Sequence, residues 1–517
     1  MRLIDHLDKG ASLGADAPCL VCDGEVRTYG EVRELGDRIA AALVADGVEP
    51  GDRVAVLSAN DPTAFTCVFG ISRAGAVWCP VNPRNEAAEN RELLDLFECS
   101  VLIFQASFAP LVDAIRHDLP GLRTLVCLDG DPGWALGWET FLSRGQGPVD
   151  RACPDDVAMI VGTGGTTGRP KGVVLTGTNI ETMTAITLMS YPWPAAGGRP
   201  TYLALAPLTH AAGVLCFPVL CRGGSVVVMR SPDVGGFLDH VEQHRVTHTF
   251  LPPTLIYMVL DHPSLDGRDL SSLQCFWYGA APMSVARLEE ALTRIGPVMA
   301  QLFGQTEAPM MISTMPPEDH FGTDGRPARD RLSSAGRPSP LVTVAVMDDG
   351  GRLLGPGERG EIVVRGSLVM RGYHRNPEAT AEASAHGWHH TGDIGYLDDD
   401  GFLFIVDRAK DMVITGGFNV YSSEVEQALM AHPAVADCAV VGLPDDKWGE
   451  RVTAVLQLRP GATLDDAELT SFVKARIGSV KTPKQIEIWP DLPRSKIGKV
   501  LKAEIKKQFV TPRRTSS

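Results

Sequence analysis

The sequence predicts an α/β protein: a large N-terminal domain of two layered, mostly parallel α/β subdomains with a small β-barrel subdomain against them, then a small α+β C-terminal domain. Three observations carry this expectation. Short apolar runs alternate with segments of helical period through the first 150 residues, and a second such set fills 173–300. From 335 to 371 the texture changes to short alternating strands separated by glycine- and proline-rich turns, which favours antiparallel pairing. At 517 residues the chain also exceeds the size at which one core keeps growing, so two to four domains or subdomains are expected.

In order, residues 25–29 read as a strand and 29–46 as a helix, with Val32, Leu35, Ile39, Leu43 and Val44 on one face and Gly47 as its stop. Residues 53–58 are a short buried strand. A helix through 65–74, a strand at 76–80, a helix around 87–97 and strands at 101–104, 124–128 and 158–161 continue the alternation. In the second set, strands fall at 203–206, 226–229, 247–251 and 273–278, and helices at 236–244, 254–261 and from Ser284 onward. The antiparallel part holds strands at 342–347, 360–365 and 402–406. Beyond a charged stretch at 407–411, Gly416 and Gly417 make a tight turn and Ser422 or Ser423 caps a helix. Strands at 435–442, 451–458 and 485–489 and a helix at 465–477 complete the α+β unit.

Composition excludes several classes. Hydrophobic content of 44% and charged content of 21% are those of a globular chain. A formal net charge of -15 argues against a general nucleic-acid binder, yet leaves room for a local basic patch that holds a nucleotide. The eleven cysteines sit in mostly apolar surroundings and read as buried thiols of a reducing compartment; Cys19 and Cys22 are the sole CxxC-like pair, without a histidine at ligand spacing. The N-terminus has charges threaded through it, and the best apolar run, 214–229, is broken by Arg222, Gly223 and Gly224. A cytoplasmic protein without a transmembrane segment is expected, with a homodimer left open.

Chemistry concentrates in a few stretches. Residues 163–172, TGGTTGRPKG, place four glycines, three threonines and Lys171 after an apolar run. Glycine lets the backbone approach an anion, hydroxyls donate to it and Lys171 adds a charge, so the stretch reads as a phosphate loop; a mobile surface turn is the other reading. It is not GxxxxGK[ST], because no Ser or Thr follows Lys171 directly. Residues 207–213 read PLTHAAG, 278–282 YGAAP, 301–308 QLFGQTEA, 387–393 GWHHTGD and 493–499 PRSKIGK. Taken singly, each has a plain structural alternative: a core histidine, a strand-to-helix turn, a helix cap with a solvent-facing acid, a turn-capping aspartate and a solvated basic tail.

Together and in this order, these stretches resemble the adenylate-forming superfamily of acyl-CoA synthetases, aryl-CoA ligases, luciferase and peptide-synthetase adenylation domains. Two departures stand out. Gly164 occupies a position where the family usually has serine, and Phe303 one where it has tyrosine, which keeps ring stacking but loses a phenol.

The resemblance implies an ATP-dependent acyl-CoA ligase. Thr163, Gly164, Gly165, Thr166, Thr167, Gly168 and Lys171 would hold phosphates, and His210 would lie between acyl pocket and adenylate. Gly279, Ala280, Ala281 and Pro282 would run along the adenine and acyl group, with Phe303 and Gly304 beside them. Thr306 would donate to the α-phosphate and Glu307 hold Mg2+, Asp393 would accept both ribose hydroxyls and Arg408 reach the ribose. Lys499 would meet developing charge on phosphorus. Residues 1–407 would form the nucleotide- and acyl-binding domain, 408–411 a hinge centred on Lys410, and 412–517 a mobile domain presenting Gly416 and Gly417 to coenzyme A. Met283, Met310 and Met311, with Ala211, Ala212 and Gly213, imply an apolar pocket for a hydrophobic carboxylic acid. A separate carrier protein as acceptor, and a non-enzymatic nucleotide sensor, are the alternatives.

Overall fold

Strand alternation decides the layering. In Arg53–Leu57, Val54 and Val56 join one apolar cluster while Ala55 and Leu57 join another; in Cys275–Tyr278, Cys275 and Trp277 enter the first cluster and Phe276 and Tyr278 a third. Each large sheet is therefore apolar on both faces, as buried parallel sheets are. The computed structural model describes residues 1–163, 170–195, 197–209, 211–445, 447–494 and 500–510. Helices Leu3–Leu13, Tyr29–Ala45, Pro62–Arg73 and Gly177–Ser190 contribute to the core between the sheets. Val234–Gln243, Pro253–Leu260 and Val285–Arg294 cover the outside of one sheet, and Ala87–Leu96 and Ala109–Ile115 the outside of the other.

The first sheet runs in the order Gly372–Tyr373, Lys171–Thr176, Val157–Thr163, Val77–Val81, Arg53–Leu57, Cys99–Phe104, Thr124–Cys127, Leu136–Gly137. It is parallel from Val157–Thr163 onward, and its first two strands are antiparallel additions. The second sheet runs Arg337–Pro338, Ala308–Met315, Met299–Gln305, Cys275–Tyr278, His248–Leu251, Thr201–Ala204, Ser225–Val228, Pro18–Cys22, Glu25–Thr28. Its middle strands are parallel. The small domain carries Phe418–Val420, Val413–Thr415, Gly449–Leu458 and Val435–Asp445, with Gln485–Ile488 alongside Gly449–Leu458. Ser422–Met430 and Asp466–Lys481 pack on one face of this sheet and Lys502–Val510 on the other.

Three expectations are corrected. The antiparallel part is not a barrel: Val342–Met347, Gly360–Gly366, His389–Leu397 and Leu403–Arg408 form a four-stranded sheet whose first and last strands are unpaired with each other among the described residues. Four short twisted strands are too few to close around a packed interior. Glu25–Thr28 does not begin the first sheet but edges the second, because Pro18–Cys22 pairs in parallel with Ser225–Val228. Ser422 and Ser423 are not caps; the N-cap position is Tyr421, and Ser422 instead gives its N–H and hydroxyl to the Asp407 carboxylate. No helix among the described residues is long and apolar enough to cross a membrane.

Three histidines are sealed into this framework. His6 bonds the Arg2 carbonyl and Thr184, His248 lies between Thr247 and the Pro192 carbonyl with its ring 4.3 Å from that of Trp193, and His320 meets Tyr278 at 2.9 Å. Burial lowers all three to about 4. The native state keeps them neutral while the unfolded chain takes up protons below about 6.5. Stability is therefore fully present above that pH and is lost as pH falls from about 6.5 towards 4, by up to about 3 kcal/mol per ring. Thermal midpoints measured across this range should decline, and His248→Phe, though less stable at pH 8, should decline less steeply than the wild type. A wild-type midpoint that stays flat between pH 7 and 5 would contradict this account.

Candidate active site

The 279–282 stretch and the end of Met299–Gln305 lie at the carboxyl ends of adjacent parallel strands, where open α/β sheets place their ligands. Gly279 follows Cys275–Tyr278, and the neighbouring parallel strand Met299–Gln305 ends beside it. Gln305 pairs with Ala308, so Thr306 and Glu307 are the two turn residues of a β-hairpin rather than a helix cap. Gly279 is there for lack of space: an added Cβ would stand 2.3 Å from the Leu302 carbonyl oxygen. The small side chains of Ala280 and Ala281 follow, with Ala280 exposed.

Lys171 opens the strand antiparallel to Val157–Thr163, with Thr163 paired to Lys171 and its hydroxyl 3.4 Å from the Lys171 carbonyl. The glycine-rich stretch thus connects two strands of one hairpin, unlike a phosphate loop that runs into a helix. Residues Gly164, Gly165, Thr166, Thr167 and Gly168 lie outside the described residues, as do His210 and Lys499.

A chain of contacts joins the described part. Lys171 Nζ stands 4.7 Å over the ring of Tyr373, and the Tyr373 hydroxyl donates to Glu307 Oε1 at 2.8 Å. Gln305, two residues before Glu307, donates from Nε2 to the Thr391 carbonyl at 3.2 Å and meets His389 Nε2 at 3.3 Å. Burial lowers the His389 imidazole, while the Glu307 carboxylate pulls the other way. Two residues on from Thr391, Asp393 is 3% exposed and pairs across the sheet with Arg408, whose Nε is 2.6 Å from Asp393 Oδ1. The arrangement sets a lysine, a carboxylate in a turn and a carboxylate–guanidinium pair along one surface, which suits a polyanion at one end and a diol at the other.

Tyr373 lies outside every stretch read as carrying chemistry, and Gln305 and His389, though inside 301–308 and 387–393, were given no role there because each acts on a group distant in sequence.

The methionine-rich acyl pocket is corrected: Met283 packs in the cluster outside the second sheet and Met311 in the core between the sheets, so composition grouped side chains that lie on opposite faces. Gly416 and Gly417 form a two-residue hairpin between Val413–Thr415 and Phe418–Val420, with φ of 57° and 80°, the conformation that primed turns demand. The turn is exposed, as is Phe418. Ala409–Asp411, which includes Lys410, is a single 3-10 turn.

With respect to a bound Mg2+, the described residues hold no group of three or more His, Cys, Asp and Glu side chains able to form a closed site. A lone half-buried carboxylate fits a metal that brings most of its ligands as phosphate oxygens and water.

Comparison with known proteins places these features in a family. Residues 7–374 match the AMP-binding enzyme family and 424–499 the AMP-binding enzyme C-terminal domain. The chain is 38% identical over 505 residues to a medium/long-chain-fatty-acid–CoA ligase of Mycobacterium tuberculosis, covering 94% of this chain and 86% of that protein. It is 37% identical over 492 residues to a feruloyl-CoA synthase of an Amycolatopsis species, covering 94% of both. Among solved structures, an amide bond synthetase from Marinactinospora thermotolerans superposes with a TM-score of 0.90 at 30% identity, covering 98% of this chain and 100% of that one. The protein belongs to the AMP-binding, adenylate-forming enzymes and is an acid–thiol ligase of their acyl-CoA ligase branch.

Gly279→Ala should lower the thermal midpoint by several degrees and weaken ATP binding at least tenfold, because the new methyl must push apart the two strands that bear the site. Gly121→Ala, where an added Cβ meets nothing within 4 Å, should change neither. Scanning fluorimetry with a nucleotide titration reads both; wild-type values for Gly279→Ala would refute the close approach.

Proposed function

We propose that the protein activates a hydrophobic carboxylic acid with ATP and transfers the acyl group to coenzyme A. The supporting observation is two runs of contacts, one from Lys171 through Tyr373 to Glu307 and one from Gln305 through Thr391 to Asp393 and Arg408, joined by the turn that carries Glu307. In this reading a carboxylate oxygen attacks the α-phosphorus, the bond to the β-phosphate oxygen breaks and pyrophosphate leaves. The thiol then attacks the acyl carbon, loses its proton, and AMP departs with the bonding electrons. The protein's part is to position and to neutralise charge, without a nucleophile of its own.

Thr163 and Lys171, with Gly164, Gly165, Thr166, Thr167 and Gly168, hold the phosphates. Gly279, Ala280, Ala281 and Pro282 lie along the adenine with Phe303 and Gly304, and His210 borders the acyl group. Thr306 donates to the α-phosphate, and Asp393 accepts the ribose hydroxyls beside Arg408. Glu307 holds Mg2+, which supplies charge neutralisation on the phosphates. Residues 1–407 form the part that binds both substrates, and 412–517 turn about Lys410 within 408–411, exchanging Lys499 for the Gly416–Gly417 turn between half-reactions. A cytoplasmic location suits the use of ATP and coenzyme A.

Pyrophosphate release measured over a panel of carboxylic acids, with and without coenzyme A, tests the whole reading. Hydrophobic acids should release pyrophosphate and yield a thioester. No acid-dependent release would overturn the reading, and acylation of a phosphopantetheinylated carrier in place of coenzyme A would correct the acceptor.

Lys499→Ala should cut acyl-adenylate formation by a hundredfold or more while sparing thioester formation from preformed acyl-adenylate. Gly417→Leu should do the reverse. The positive φ at Gly417 penalises leucine regardless of substrate, so Gly417→Asn, which tolerates that conformation, separates turn strain from a blocked path. Losses in the same half-reaction for Lys499→Ala and Gly417→Leu would refute the exchange of faces.

A further inference from the structure

We infer that Tyr373 is a positioning residue that selects which oxygen of Glu307 faces the nucleotide and holds that carboxylate in register with Lys171. The inference rests on the metal-holding role proposed for Glu307.

The segment 370–374 is bound to both large sheets at once. Towards the first sheet, the N–H of Arg371 donates to the Val174 carbonyl at 3.0 Å and that of His374 to the Gly172 carbonyl at 2.7 Å, the ladder in which Tyr373 pairs with Val173. Towards the second, the N–H of Met370 donates to the Glu307 carbonyl at 2.7 Å. Thr380 accepts the Tyr373 N–H at 2.9 Å and so fixes the start of the side chain from behind. The backbone thus ties the Glu307 turn to the Lys171 strand, and the side chain repeats the tie with a hydroxyl on the carboxylate and a ring under the ammonium.

Chemistry makes this contact directional. The carboxylate can only accept, so the Tyr373 hydroxyl is the donor of this contact. Its donation engages Oε1 and leaves Oε2 for a cation. A carboxylate free to rotate would offer either oxygen and would need ordering when the metal arrived; one already engaged by a phenol does not. Loss of the hydroxyl should therefore weaken binding only to the extent that metal is involved.

Tyr373→Phe isolates the effect, since it keeps the ring beneath Lys171 and removes only the donor. Calorimetric titration of ATP into the protein, once in EDTA and once in excess Mg2+, gives the affinity gained from metal without any turnover. The expected result is metal-free ATP affinity within twofold of wild type, a metal-dependent gain reduced about tenfold, and an unchanged thermal midpoint. Glu307→Gln, run alongside, should abolish the gain. If Glu307→Gln abolishes it and Tyr373→Phe leaves it whole, the positioning role is overturned and the metal assignment stands. If Glu307→Gln also leaves the gain whole, the metal assignment fails and the inference fails with it. Equal weakening of ATP with and without metal in Tyr373→Phe would make Tyr373 a packing residue and likewise overturn the inference.

Discussion

Each large sheet ends its parallel strands in loops that cannot pair within their own layer, so a site shared by both sheets depends on fastening those loops to one another. Asn60 does so on one side. It leaves the first sheet just beyond Arg53–Leu57, and its Nδ2 reaches the carbonyls of Ala206 at 3.1 Å and Met229 at 3.0 Å, while Oδ1 accepts the Leu208 N–H at 2.9 Å. The side chain is buried, and a buried backbone group left without a partner costs about 1–3 kcal/mol. Segment 370–374 is the fastener on the other side. This segment joins the Glu307 turn to the Lys171 strand, so the geometry of the site is set by polar contacts between layers that each have an apolar core of their own.

The small domain is attached by the same kind of device. Asp407, one residue before the end of the last strand of the large domain's antiparallel sheet, caps the helix Ser422–Met430 from outside, through the N–H and hydroxyl of Ser422. Lys502 Nζ continues the line, 2.5 Å from the Ser422 hydroxyl and 2.7 Å from Glu426 Oε1, and Glu426 also takes the Val440 N–H. A buried ion pair of this kind contributes little net stability, but removing one partner strands the other at a cost of about 3–5 kcal/mol. Its effect is orientation: one cluster connects the stretch before the 3-10 turn Ala409–Asp411, the first helix of the small domain and the helix that follows Lys499.

Local signals in the sequence carried most of the fold. Strands with continuous apolar runs and helices with caps, such as Tyr29–Ala45 with Thr28 and Glu31, were legible because the signal is within the element. Helix Gly177–Ser190 was missed for the opposite reason. It lies between the sheets, with Ile180, Met183 and Ile186 buried alongside Asn179, Thr182, Thr184 and Thr187, so polar and apolar residues share its inner surface and no stripe remains. Strand Pro18–Cys22 was missed because its parallel partner is some two hundred residues away. At the site, residues drawn together by one motif could be read, whereas Tyr373 matters only through groups on two other strands, and no local pattern encodes that.

Backbone strain marks the same place. Ala280 and Met310 adopt φ of 66° and 62°, each at a cost of about 1–2 kcal/mol for a residue with a Cβ. Both adjoin a glycine that admits another backbone. Gly279 lies against Leu302, and Gly304, which stands opposite 309–312 in the hairpin register, would place a Cβ 2.4 Å from the Met310 nitrogen. The glycines and the strained residues form one device. Two glycines let three successive backbone segments close on each other, and the chain turns sharply at 280 and 310 because the space a relaxed path would need is already filled. What remains along 279–282 is a surface of peptide planes and methyl groups beside the Phe303 strand, low enough in relief for a flat ring to lie on. The ladder between Cys275–Tyr278 and Met299–Gln305 offsets the local cost, which is why such strain is tolerated in the loops that end these strands and not within them.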